Sequence, residues 1–143
     1  MIVSIGCDHG GFEMKEKIIE LLKGINIQVI DEGCYSEDSV SYPIFAQKVA
    51  NDVQKEKATY GILICKTGVG MSIAANKQKG IRAALVCDKE VAALARKHND
   101  ANVICFGANY ITFENAIECL LTFINEAFEG GRHASRVKLL EQE

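Results

Sequence analysis

Long apolar runs are missing from this chain, and no stretch is long and apolar enough to span a bilayer as a helix. Blocks of positive charge are missing too. With 19 acidic residues against 16 lysines and arginines the net charge is -3, so neither nucleic acid nor an anionic membrane is expected as the main partner. No internal repeat, linker or low-complexity segment divides the 143 residues, which are expected to form one domain over 1–143. That length suffices to bury roughly 70% of the unfolded surface in one core.

Several signatures of cofactor and metal chemistry are also lacking. The six cysteines, Cys7, Cys34, Cys65, Cys87, Cys105 and Cys119, contain no C-x-x-C spacing, which removes the usual zinc and redox patterns. Asp8, His9, Cys65 and His98 are ligand types but nothing spaces them as a zinc motif, so no metal is expected. The phosphate-cradling G-x-x-x-x-G-K-[ST] pattern is absent. The dinucleotide fingerprint fails as well, because after Gly68 and Gly70 the third glycine position holds Ile73, although Asp88 lies about the right distance on for a ribose contact. The opening MIVSIGCDHGG begins with a strand-like run rather than a charged leader and apolar signal core, so a cytoplasmic location and reduced thiols are expected. Five of the cysteines are read as small buried apolar residues, and Cys65 is set apart by its position.

What is present centres on Tyr60 to Asn76, YGILICKTGVGMSIAAN. Gly61-Ile62-Leu63-Ile64 has the length and β-branching of a buried strand ending at Cys65. Thr67-Gly68-Val69-Gly70 then turns into a helix opened by Met71-Ser72-Ile73-Ala74-Ala75. Glycines let the backbone approach a ligand, and a helix start offers unpaired amide N–H groups suited to negative charge. A thiol and a hydroxyl thus share one amide-rich hollow.

The rest of the chain alternates. Strands are expected at 2–6, 28–31, 61–65, 81–86 and 102–106. The intervening helices carry Met14, Ile18, Leu21 and Leu22; Phe45, Val49 and Val53; Val91, Leu94 and Ala95; and Ile117, Leu120, Leu121, Ile124 and Phe128 on their inner faces. Pro43 suits the first turn of the second of these helices, Gly130-Gly131 breaks the last, and a short helix from Arg132 to Leu140 closes the chain. Strict alternation means an α/β/α three-layer sandwich, a Rossmann-like five-stranded parallel sheet with a C-terminal helical extension.

Ligands in such sheets bind beyond the carboxyl ends of the strands, where the winding reverses. Asp8 and His9 follow the first strand and Cys65 and Thr67 the third, so these four converge if the strands are neighbours. His98-Asn99 ends a helix that runs back to the amino edge. Either the pair is structural or it serves the site of a second subunit, which would make a dimer with shared sites. Simpler roles stay open: Asp8 as a helix cap, His98 as a favourable helix C-terminal cation, Arg132 and Arg136 as a solvated face, and His133 off that face as structural.

The blocks CDHGGFEMK at 7–15, YP at 42–43, GILIC and TGVGMSIAANK within 61–77, GIRAAL at 80–85, ARKHNDANV at 95–103 and EGGRHASRV at 129–137 resemble, in order and over nearly the whole length, the sugar-phosphate isomerase family that holds ribose-5-phosphate isomerase B and the galactose-6-phosphate isomerase subunits. The resemblance implies a cofactor-free and metal-free interconversion of ribose 5-phosphate and ribulose 5-phosphate, with a sugar phosphate as small-molecule partner and a homodimer or dimer of dimers as assembly. It implies Cys65 as the base, Met71 standing where a glutamate base occurs in another subfamily. Thr67 would assist the oxygen-bound proton. The Gly68, Val69, Gly70, Met71 and Ser72 amides would hold the enediolate, and His98 would open the sugar ring. Asp8 would lie on the ring-oxygen side, Tyr42 and Asn99 on hydroxyls, and His9, Arg132 and Arg136 on phosphate.

Three positions depart from the family pattern: Lys66 replaces a usual glycine, Asn109 a usual phosphate-binding arginine, and Ser41 a common aspartate. These leave the proton-transfer groups in place. Galactose 6-phosphate or allose 6-phosphate as substrate, or a non-catalytic phosphosugar-binding protein, are the alternatives.

Overall fold

Five short runs rich in β-branched and apolar residues become the strands β1 (Ile2–Cys7), β2 (Gln28–Gly33), β3 (Tyr60–Cys65), β4 (Ala83–Leu85) and β5 (Val103–Gly107). In the computed structural model, which describes residues 1–141, they pair in the order β2-β1-β3-β5-β4, all parallel. Between them run α1 (Phe12–Gly24), α2 (Tyr42–Gln54), α3 (Val69–Asn76), α4 (Lys89–Asn99) and α5 (Phe113–Asn125), and α6 (Arg132–Leu140) follows. Right-handed crossovers put α1, α4 and α5 on one face and α2 and α3 on the other, a three-layer α/β/α sandwich. Among the described residues no helix is long and apolar enough to cross a membrane.

The centre of the sheet positions the site. Ile62, Leu63 and Ile64 of β3 are fully buried, flanked by β1 on one side and β5 on the other. Since β1 and β3 are neighbours from which the chain winds in opposite directions, their carboxyl ends form the switch point. The pairing runs past the strand end: the Asp8 amide donates to Ile64 O at 3.2 Å and the Ala108 amide to Cys65 O at 2.9 Å. The tips of β1, β3 and β5 therefore share one hydrogen-bonded rim.

Several expected inner faces shift. On α4 the buried residues are Ala92, Ala95 and Arg96, while Val91 and Leu94 stay exposed. Arg96 is accepted inside because its guanidinium has partners there: Ala101 O at 2.7 Å, Asp100 Oδ1 at 2.8 Å, and the Tyr60 and Phe123 rings with centroids at 5.0 and 5.8 Å. On α5 the buried set is Ala116, Cys119, Leu120, Phe123 and Ile124; Phe128 lies beyond the helix, which stops at Asn125 where Glu126 turns extended. Cys87 is exposed, unlike the other five thiols, because it follows the short edge strand β4. Lys15 is fully buried on α1. Burial opposes its charge, but hydrogen bonds to Glu16 at 2.7 Å and Asp31 at 2.9 Å outweigh that and hold it above the ordinary lysine range.

A carboxyl pair links β2 to α2. Glu32 is pushed up to about 7 by its hydrogen bond with Asp52, by burial and by the Asp52 charge, while Asp52 itself accepts from Ser4 Oγ at 2.7 Å. The folded chain therefore holds the Glu32 proton more tightly than the unfolded one. Its contribution to stability is full below the ordinary value of 4.5 and is lost as pH rises through about 7. Glu32→Gln should flatten that pH dependence and raise Tm at pH 8 by roughly 3–4 °C, as ~1 kcal/mol gives in a chain of this size. Melting curves at pH 5 and 8 check it.

Candidate active site

At the strand tips each polar group has a local cause. Asp8 follows β1 and caps the short 3-10 turn His9–Gly11, its Oδ1 accepting from the Gly10 amide at 2.9 Å. The capping role open to Asp8 is thus filled by one of its two carboxylate oxygens. The Val40 amide donates to His9 Nδ1 at 3.2 Å, so in the neutral ring the proton sits on Nε2, free to donate. One bond thereby fixes both the tautomer and the loop before α2.

Cys65 ends β3 and is 5% exposed. Immediately beyond it Gly68 adopts φ +79, which reverses the chain and aims its amide back at Cys65 Sγ at 3.2 Å. Thr67 Oγ1 accepts from the Val69 amide at 3.2 Å, and the Ser72 amide returns to Gly68 O at 3.0 Å. Of the five amides expected to form an anion hole, three have acceptors. The Gly70 and Met71 N–H groups are left without one among the described residues, at the positive end of α3. Tyr42, the first residue of α2, lies against this loop so closely that a Cβ on Gly70 would sit 2.7 Å from its ring.

The three departures can be placed. Lys66 is not among the positive-φ residues, so the loop imposes no strain on it, and its exposed stem covers Gly10. The Asn109 amide donates to Lys66 O at 3.0 Å, so these two positions adjoin. Ser41 is the N-cap residue of α2 without a side-chain cap bond.

A second group assembles elsewhere. His98 and Asn99 end α4 immediately before the chain enters β5, at the amino edge of the sheet. With Arg136, His133 and two residues of α6 they line a cleft of about 340 Å³. Arg132 and Arg136 are exposed on α6 and make no ion pair among the described residues. His133 turns inward, as expected from its place off their face, but it stacks on His98 with ring centroids 4.2 Å apart. Burial, helped by the nearby His98 and Arg132 charges, pushes His133 below the ordinary imidazole range. Glu129 Oε1 stands 3.6 Å from Nε2 of each histidine. His133 and Glu129 were not foreseen here; their i,i+4 spacing was the available signal. A cavity of about 680 Å³ is lined by residues 76–84 with Ala95, Asn99, Ala101, Leu140 and Glu141, and it contains none of the strand-tip groups.

Burial pushes Cys105 and Cys7 well above the ordinary thiol range, and Cys119 up to about 11. Gly68 is the position on which the loop turns, since a Cβ there would meet Leu85 Cδ1 and lie 2.9 Å from the Phe106 carbonyl carbon in addition to the positive φ. Gly68→Ala is expected to cost about 2–3 kcal/mol, left-handed strain plus displacement of Leu85, read by urea denaturation.

A family model described as Ribose/Galactose Isomerase matches residues 3–140. A Listeria innocua protein called ribose-5-P isomerase B is 44% identical over 142 residues, covering 99% of this chain and 96% of its own. The solved structure of Clostridium thermocellum ribose-5-phosphate isomerase B superposes with a TM-score of 0.97 at 42% identity, over 99% of this chain and 95% of that one. The Mycoplasma genitalium enzyme, solved with bound ribulose 5-phosphate, gives 0.93 at 42% identity, over 98% and 93%. Family-model match, identity, coverage and superposition all agree, and this chain belongs to the ribose/galactose isomerase family.

Proposed function

We propose that this chain interconverts ribose 5-phosphate and ribulose 5-phosphate through an enediolate, with Cys65 as the base. The observation that carries the reading is Cys65 Sγ, held by the Gly68 amide at 3.2 Å beside the unpaired Gly70 and Met71 N–H groups. A relative with the same fold binds the ketose product of this reaction.

In this reading the sulfur removes the proton from the aldose C2 and returns it to C1, while Thr67 Oγ1 moves the proton between the two oxygens. The negative charge that develops on the enediolate oxygen meets the Gly70 and Met71 amides, donors fixed in place before the reaction starts. Asp8 faces the ring oxygen, and Tyr42 and Asn99 take sugar hydroxyls. His98 opens the ring. The phosphate is gripped by His9 Nε2 and by Arg132 and Arg136, which are four apart on α6.

His98, Asn99, Arg132 and Arg136 lie at the opposite edge of the sheet from Cys65, so one chain does not complete this constellation. A two-fold dimer that places the amino-edge group of one copy over the strand tips of the other does. Exposed Val69 and Ile73 on α3, Leu85 on the edge strand, and Val91 and Leu94 on α4 offer the apolar surface for it.

Cys65→Ala should abolish isomerisation and leave binding of ribose 5-phosphate nearly intact in calorimetry, and turnover at the parent rate would overturn the assignment. Mixing separately inactive Cys65→Ala and His98→Gln chains after reversible dissociation should restore about a quarter of parent activity, since half of randomly formed two-fold dimers then carry one intact site of two. No recovery in dimers shown to have exchanged subunits would contradict shared sites.

A further inference from the structure

The stacked histidines and Glu129 are not needed together by any step above, yet the fold builds them as one unit. His98, Glu129 and His133 each place one ligand atom within 4.8 Å of the others, and Glu129 Oε1 is 3.6 Å from Nε2 of each histidine. Ligands bound to zinc at ~2.0–2.1 Å in tetrahedral geometry sit ~3.3–3.5 Å apart, so two edges of such a site are formed already. The imidazoles, stacked with centroids 4.2 Å apart and planes 14° apart, have to turn out of the stack for both nitrogen lone pairs to converge on one ion. We propose that these three atoms form a binding site for a zinc-class divalent cation, and that filling it inhibits the enzyme by taking the nitrogen that His98 needs to open the sugar ring. The inhibition rests on the role assigned to His98 above; the binding does not.

The three donors come from different chain segments that are tied together independently of any ion. The Glu129 amide donates to Lys97 O at 3.1 Å, and Arg96 Nε donates to Glu126 O at 3.3 Å, which fastens the connection before α6 to the end of α4. Gly130 and Gly131, both at positive φ, then turn the chain so that α6 begins with His133 facing inward, its amide donating to Gly130 O at 3.0 Å. Two imidazoles and one carboxylate suit zinc and neighbouring transition ions rather than calcium or magnesium, which prefer all-oxygen sets. A fourth coordination position opens into the cleft shared with Asn99 and Arg136, where water or a phosphate oxygen can enter. Arg132 and Arg136, whose charges already act on His133, oppose a cation there and make its binding weaker than the three donors alone would give.

The test titrates chelator-stripped protein with zinc chloride in a calorimeter. One zinc per chain is expected, with affinity about tenfold or more weaker in Glu129→Gln and in His133→Gln and unchanged in Cys87→Ser. Cobalt(II) on the parent protein should give ligand-field bands without sulfur-to-cobalt charge transfer, a readout that holds even if a variant fails to fold. No binding, equal affinity in both folded variants, or a sulfur-to-cobalt band would overturn the site. Zinc should also suppress isomerisation in the parent protein and much less in Glu129→Gln. Stoichiometric binding at these residues with full activity would overturn the coupling to His98 while the site stands.

Discussion

Everything at the carboxyl rim depends on a single reversal of chain direction between β3 and α3. Gly68, held at φ +79, turns its own amide onto Cys65 Sγ and starts the helix so abruptly that the Gly70 and Met71 amides have no turn behind them to bond. A side chain at that position would collide with Leu85 and the β5 backbone, so the sharpness of the turn and the closeness of β5 are one constraint. The sulfur and the free donors are consequently fixed relative to each other by backbone geometry, not by flexible side chains, which is the arrangement that stabilises developing charge without reorganisation.

The molecule has two polar centres, and the sheet separates them. At one edge lie a thiol, a hydroxyl, a capping carboxylate and amides without acceptors among the described residues; at the other lie two stacked imidazoles, a carboxylate and two exposed arginines. The exposed apolar residues on α3, β4 and α4 offer a surface for the assembly proposed above, which would bring the two centres together.

Much of this was legible in the residues. Short β-branched runs leading to Cys7 and Cys65 and the glycines after them gave the strand tips, and the alternation gave a parallel sheet; that β1 and β3 adjoin stood only as a condition until the strand order supplied it. Placing His98 at the opposite edge needed only the direction of α4. What periodicity could not reveal was the partner of each face. Of the apolar stripe read as inward on α4 only Ala95 is buried, while Arg96 is accepted inside because the Tyr60 and Phe123 rings and the Ala101 carbonyl oxygen meet its guanidinium. Lys15 is buried for the same reason, through Asp31 sixteen positions away. The His133 pairing with His98 was hidden because it depends on how the connection through Glu126 and Glu129 docks on α4, a tertiary contact with no local signature.

The proposal stands on one sulfur atom acting on substrate from the rim of the sheet. The most direct measurement is alkylation by iodoacetamide in a Cys87→Ser background, which removes the exposed competing thiol, with modification followed by peptide mass and activity followed in parallel. Loss of isomerisation should track carbamidomethylation of Cys65 one for one, and ribose 5-phosphate should slow both together. A preparation in which Cys65 is fully modified and turnover is unchanged would contradict the account.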